Sequence, residues 1–155
     1  MIVERTGDLF TADCPAVGHG VNTLGSMGAG IAVEFRRRWP AMYEAYRDEC
    51  RSGRLQPGGV FVWQAPDRLI VNLATQRRLG RGAARLEWVR QAARATAQLD
   101  VAGLALPRIG SGLGGLRWAE VRAVLQEELA ALPYVERGSL PGAPDVEPQR
   151  SATDC

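Results

Sequence analysis

Two glycine-rich segments carry most of the chemistry this sequence can offer. The first reads Asn22-Thr23-Leu24-Gly25-Ser26-Met27-Gly28-Ala29-Gly30-Ile31-Ala32, and the second Pro107-Arg108-Ile109-Gly110-Ser111-Gly112-Leu113-Gly114-Gly115-Leu116. Each follows a short apolar run of strand character and precedes residues with helical periodicity. Glycine permits positive φ and lets backbone N–H groups come close to an anion. A helix N-terminus adds a favourable dipole. Two such loops on neighbouring strands hold a diphosphate between them, at the open end of the sheet where α/β folds bind ligands. Neither loop continues into Gly-Lys-Ser/Thr, and neither shows Gly-x-Gly-x-x-Gly in its usual setting. A lone loop of this kind is more often a tight strand-to-helix turn; the pair points to a phosphate-bearing ligand.

Composition removes other chemistries. All 19 basic residues are arginine and lysine is absent, so the sequence supplies no lysine nucleophile and no Schiff base. Cys14, Cys50 and Cys155 are odd in number and scattered, which suggests neither a disulfide framework nor a zinc site; no metal and no cofactor are expected. The single histidine, His19, lies inside an apolar strand and reads as a satisfied core residue. A net charge of +2 gives no strong generic attraction to nucleic acid. No apolar run approaches a membrane span and the first residues lack signal-peptide order. The expectation is a cytoplasmic, monomeric protein away from membranes.

The elements that must hold these loops follow from periodicity. Residues 2–6 and 17–21 read as strands, the first followed by a turn at residues 7–10. Ile31, Phe35 and Trp39 share one helical face, and Arg36, Arg37 and Arg38 form its solvated C-terminal end. Pro40 starts a second helix with Tyr43, Tyr46 or Ala45, and Cys50 inward. Residues 60–64 and 68–75 read as strands joined by a turn. An arginine- and glycine-rich loop, residues 76–84, precedes a helix over about 86–99. Residues 102–106 form another strand, and a last helix carries Trp118, Val121, Leu125, Leu129 and Leu132. Residues 134–137 suggest a final edge strand. Trp63, Trp88 and Trp118 read as core. Strands alternating with helices predict an α/β fold with helices on both faces of one sheet. One domain is expected over residues 1–138, with a disordered tail over 139–155.

Four segments in this order resemble the macrodomain family: Gly7-Asp8-Leu9-Phe10, Met27-Gly28-Ala29-Gly30-Ile31-Ala32, Val71-Asn72-Leu73-Ala74-Thr75 and Pro107-Arg108-Ile109-Gly110-Ser111-Gly112-Leu113. The similarity spans roughly residues 3–137. It is strongest to terminal ADP-ribose protein glycohydrolases and to antitoxins that strip ADP-ribose from thymidine in DNA. It implies a three-layer α/β/α sandwich around a central mixed sheet, and ADP-ribose as ligand or product. It implies that Asp8 accepts from the adenine amino group, with Leu9 beside the ring. Asn22 would hold the distal ribose. Met27, Gly28, Ala29, Gly30 and Ile31 would contact the ligand from one loop, and Pro107, Ile109, Gly110, Ser111, Gly112, Leu113 and Gly114 from the other, with Thr75 nearby.

The match breaks at two places. Relatives carry a lysine after the threonine, which attacks the anomeric carbon; Gln76 stands there instead. The protein glycohydrolase relatives carry an aspartate where this sequence has Gly114. The resemblance therefore implies hydrolysis of mono-ADP-ribose from acidic side chains of proteins, and from ADP-ribosylated DNA, by a lysine-independent route. In it Asn22 orients the ribose, Gln76 supports, and a substrate phosphate polarises water. Arg77, Arg78, Arg81 and Arg85 would attract an anionic substrate, or form only an exposed polar loop. The alternatives are a non-catalytic ADP-ribose reader and an enzyme acting on O-acetyl-ADP-ribose.

Overall fold

The computed structural model describes residues 2–133 and 135–139. The apolar alternation and helical periodicity resolve into strands β1 (Ile2–Thr6), β2 (Ala16–Val21), β3 (Val60–Gln64), β4 (Leu69–Ala74), β5 (Leu104–Leu106) and β6 (Val135–Ser139), with helices α1 (Ala32–Arg38), α2 (Pro40–Arg51), α3 (Leu86–Thr96) and α4 (Trp118–Glu128). A 3-10 turn, Leu9–Thr11, occupies the expected turn after β1. The strands form one sheet in the order β1-β6-β5-β2-β4-β3. Only β3 runs antiparallel to its neighbour; it pairs with β4 through the short turn that follows Gln64.

Two cores lie on opposite faces of this sheet, which makes the mixed three-layer sandwich that the sequence predicts. On one face Val17 and Val21 of β2 meet Phe35 of α1 and Met42 and Tyr46 of α2. On the other, Val71, Leu73, Leu104 and Leu106 meet Val89 and Ala93 of α3 and Val121 and Leu125 of α4. Gly18 belongs to this second face: a Cβ there would lie 2.9 Å from both the Leu106 side chain and the Val71 carbonyl oxygen. The outer faces of α3 and α4 are tied by Arg90 and Arg94, which reach Glu128 at 2.8 and 3.0 Å.

Several expectations are corrected. The last strand is not an edge: β6 pairs in parallel with both β1 and β5. Sequence order places it last, but the edge it joins is set by partners remote in the chain. Strand β6 runs to Ser139, and residues 140–155 of the anticipated tail lie outside the described residues. Helix α3 stops at Thr96, three residues early. Trp63 and Trp118 are half-buried against the two cores, not within them, and Trp88 is half-buried. Arg37 and Arg38 pair with Glu34, and Arg38 also covers the Phe10 ring at 4.4 Å, so this helix end is structured by aromatic and acidic partners as well as solvated. Cys50 is a free thiol, whereas Cys14 is disulfide-bonded, against the expectation of no disulfide; an odd, scattered set of cysteines carries no pairing information.

His19 is fully buried, and its ring stacks on Phe35 with centroids 3.6 Å apart. Nε2 lies 2.7 Å from Asn72 Oδ1, while Asn72 Nδ2 donates to the Phe61 carbonyl at 3.1 Å. That pattern assigns the proton to His19 Nε2. Nδ1 has no protein partner among the described residues, so only half of the ring is satisfied. Burial lowers the His19 pKa from 6.5 to about 4, against a smaller upward pull from Asn72.

The folded state therefore excludes a proton that the unfolded chain accepts below pH 6.5. The stabilisation is complete above 6.5 and is lost as pH falls toward about 4, a change of about 3 kcal/mol. Chemical denaturation between pH 7 and 5 should show stability falling with pH, and His19→Gln should flatten that slope whatever its overall stability. An unchanged slope in the variant contradicts the assignment.

Candidate functional site

Three loops leave the C-terminal ends of adjacent parallel strands. Residues 107–117 follow β5, residues 22–31 follow β2, and residues 75–85 follow β4, and β2 lies between the other two strands. The two glycine loops are thus neighbours at the open edge, as the sequence predicts.

Asn22 shapes the first loop. Its Oδ1 accepts from the N–H groups of Leu24, Gly25 and Ser26 at 3.1, 3.2 and 3.3 Å, and its Nδ2 donates to the Ser26 carbonyl at 2.9 Å. From α2, the Tyr46 hydroxyl reaches the Asn22 carbonyl at 2.6 Å and Oδ1 at 3.0 Å. Asn22 is itself buried. The carboxamide that the sequence assigns to the distal ribose is thus largely committed to the loop, with one Nδ2 hydrogen left over. A single amide serves either purpose, and spacing alone does not distinguish them.

Beyond that knot the backbone is held open. Among the described residues, the N–H groups of Met27, Gly28, Ala29, Gly30 and Ile31 find no protein acceptor, and neither do those of Gly110, Gly112, Leu113 and Gly114. Buried backbone donors are almost always paired. Donors left open are tolerable only where water or a ligand reaches them, and Gly28, Ala29, Gly30, Gly112 and Leu113 are indeed exposed. Buried neighbours anchor both runs: Met27 in the first, Pro107 and Ile109 in the second. Helix α1 has only seven residues and no side-chain cap, so the first donor run belongs to the loop. Two runs of N–H groups on adjacent loops suit an anion with more than one charged group.

The third loop is laced to both. Gly82 and Ala84 donate to the Leu113 and Gly114 carbonyls at 3.0 and 3.2 Å, and Thr23 Oγ1 donates to the Arg77 carbonyl at 3.2 Å. Gln76 forms an antiparallel bridge with Ala84, and its Nε2 donates to the Arg78 carbonyl at 2.7 Å. Thr75 is buried, with its N–H on Val21 and its carbonyl on Arg85, which leaves it little surface for a ligand. Gly114 is also buried: a Cβ there would lie 2.7 Å from the Gly110 carbonyl oxygen and 2.8 Å from Ala84 Cβ. An aspartate at this position has no room on this backbone.

Asp8 is exposed and caps the 3-10 turn, Oδ1 accepting from Phe10 N at 2.9 Å; Leu9 is buried in the core beneath it. Ile31, Gln76, Gly110 and Ser111 are half-buried along the loops. The structure adds two features that the sequence reading missed. One is Tyr46, whose only sequence signal is a hydroxyl on the inward face of a helix, where it must find a partner. The other is a rim: Leu24, Val33, Leu79 and Leu113, the exposed large apolar residues among those described, all sit on or beside the site loops. Among the described residues, no cluster of three His, Cys, Asp or Glu side chains is placed to hold a metal, and no helix is long and apolar enough to cross a membrane.

The Macro domain family matches residues 19–125. The chain is 38% identical over 138 residues to a DNA ADP-ribosyl glycohydrolase of Thermus aquaticus, an alignment covering 84% of this chain and 38% of that protein. It spans about two fifths of the length of the curated relatives it matches first. Over 131 residues it is 31% identical to an ADP-ribose glycohydrolase of Homo sapiens, covering 81% of this chain and 82% of that one. Among solved structures, the macrodomain of Thermus aquaticus DarG superposes with a TM-score of 0.80 at 36% identity, covering 90% of this chain and 97% of that one.

The glycines of the second loop divide by geometry. Gly110 and Gly115 have φ of +72° and +82°, but Gly112 has no positive φ and nothing within 4 Å of an added Cβ. The sequence leaves open whether Gly112 is needed for the backbone or for the ligand; this backbone does not need it. Gly112→Val should keep stability within about 0.5 kcal/mol and crowd only what binds there. Gly114→Asp should destabilise by about 1–3 kcal/mol through overpacking. Thermal melts beside a titration with ADP-ribose check both, and a Gly112→Val variant that unfolds contradicts the assignment.

Proposed function

The chain belongs to the macrodomain family, and on that basis we propose that it binds ADP-ribose across the two glycine loops and hydrolyses mono-ADP-ribose from acidic side chains of proteins and from DNA. The observation that carries this reading is the pair of open N–H runs on adjacent loops, which fits a diphosphate. Asp8 lies exposed at its turn, where its second oxygen suits an adenine amino group.

No lysine can attack the anomeric carbon, so the reaction runs through water. ADP-ribose on a glutamate or aspartate is a glycosyl ester whose leaving carboxylate departs without prior protonation. Water adds to the anomeric carbon as the bond to the carboxylate oxygen breaks, and the electron pair leaves with the carboxylate. A diphosphate oxygen of the substrate accepts the water proton. The protein supplies placement: loop N–H groups fix the diphosphate against the ribose, and Asn22 holds the loop in shape.

The surroundings suit a macromolecular, anionic substrate. Arg77, Arg78, Arg81 and Arg85 are exposed and none pairs with a carboxylate among the described residues, whereas Arg37, Arg54, Arg68, Arg90 and Arg94 all do. Unneutralised guanidinium groups beside the site favour DNA, and relatives named DNA ADP-ribosyl glycohydrolases agree with that. A second reading, a reader that holds ADP-ribose without cleaving it, is favoured by the Gln76 amide bonding to its own loop and by the closed Gly114 position.

Free ADP-ribose should appear when the chain is incubated with carboxylate-linked mono-ADP-ribosyl protein or with an ADP-ribosylated DNA strand, and borohydride should trap no adduct. Tight binding with no release supports the reader; no binding at all removes both. Asp8→Ala should weaken ADP-ribose by about tenfold, the loss of one charged hydrogen bond. Asn22→Ala should lower binding and turnover together, because it dissolves the loop knot as well as any ribose contact. A loss of turnover alone would restore a direct role for its amide.

A further inference from the structure

We propose that Tyr46 is a positioning residue for this site: its buried hydroxyl fixes the first glycine loop through Asn22. The inference rests on reading that loop as the ADP-ribose cradle. Tyr46 lies on the inward face of α2 and is fully buried. A phenyl ring would fill the same apolar space, so the hydroxyl is not needed for packing. A buried hydroxyl is unfavourable unless it is hydrogen-bonded. This one is bonded, and both of its acceptors belong to a single residue, Asn22, at 2.6 Å to the carbonyl and 3.0 Å to Oδ1.

The Asn22 carbonyl is the first one past the end of β2. Its other neighbour is the Cys50 thiol, a weak donor 4.0 Å away. Without the Tyr46 hydroxyl, the point where strand becomes loop loses its anchor to α2. The consequences fall on Leu24, Gly25 and Ser26, whose N–H groups converge on the same carboxamide, and then on the open donors from Met27 to Ile31. Other residues of the same helix brace this contact. The Tyr43 hydroxyl reaches the Gly25 carbonyl at 3.4 Å, and the Tyr43 ring lies under the Arg36 and Arg47 guanidinium groups at 4.5 and 5.6 Å. Helix α2 therefore acts as a backing plate for the cradle, with Tyr46 its tightest fastener.

The test uses the full chain with Tyr46→Phe, and Tyr43→Phe for comparison. Amide exchange at Leu24, Gly25 and Ser26 should accelerate by about tenfold in Tyr46→Phe relative to the β2 and β4 amides, while the longer Tyr43 contact gives a smaller effect. ADP-ribose affinity measured by calorimetry on folded protein should drop by up to about tenfold, and where turnover is measurable kcat should fall by a larger factor than KM rises. Unchanged protection of those three amides together with wild-type affinity overturns the proposal. So does a uniform acceleration across the whole sheet, which marks a merely structural tyrosine. If Tyr46→Phe fails to fold, the wild-type hydroxyl proton decides: it should exchange slowly and its resonance should move when ADP-ribose is added, and indifference to ligand overturns the proposal. Should wild type bind no ADP-ribose, the cradle reading fails, and amide exchange alone reports whether Tyr46 holds the loop.

Discussion

Three consecutive backbone N–H groups converge on one carboxamide oxygen, that of Asn22, and the open edge of the sheet takes its shape from that convergence. A strand that ends at the rim of a sheet must find partners for the N–H groups it leaves behind. Here those of Leu24, Gly25 and Ser26 go to Asn22, and the following run from Met27 to Ile31 stays unpaired among the described residues. Pairing the early donors inside the loop is what allows the later ones to remain open.

The same logic recurs on either side. The loop after β5 gives its carbonyls at Leu113 and Gly114 to Gly82 and Ala84, while its N–H groups at Gly112, Leu113 and Gly114 have no acceptor among the described residues. The loop after β4 supplies those donors and is fastened in turn by Thr23 Oγ1. Three loops from adjacent strands thus satisfy one another with carbonyls and hydroxyls while keeping two sets of amides in reserve. That arrangement has little need of a catalytic side chain that titrates near neutrality. The one histidine is buried, stacked and held neutral well below its ordinary pKa. Such a site works by placement, whether it cleaves the bound group or only holds it.

Much of this was legible in the sequence. The small-and-bulky alternation of β2, the apolar run of β4 and the apolar stripe of α3 gave those elements directly, and the order of strands and helices gave the layered class. The paired glycine loops were recognisable as neighbouring strand-end loops, because each follows an apolar strand run and precedes helical periodicity. Other features depend on long-range partners and leave no local trace. The internal position of β6 is one, since it inserts between β1 and β5. The Asn22 carboxamide is another, because holding a sugar and tying a loop require the same group. Gly112 and Gly114 look alike in the sequence, yet one is open and the other is pressed between Gly110 and Ala84. The tryptophans read as core from composition alone. Trp88 and Trp118 instead stay half-buried with Arg77 and Arg108 at 6.0 and 5.4 Å from their rings, a pairing that links residues on different elements.

We propose that open backbone amides on two adjacent loops receive the diphosphate of ADP-ribose. The most direct measurement is an amide-resolved NMR titration of the full chain with ADP-ribose. The largest shifts should fall on Gly28, Ala29, Gly30 and Ile31 and, in the same concentration range, on Gly112, Leu113 and Gly114, with the outer faces of α3 and α4 unmoved. Saturable binding that shifts only one of these loops, or that maps to another surface, would contradict it.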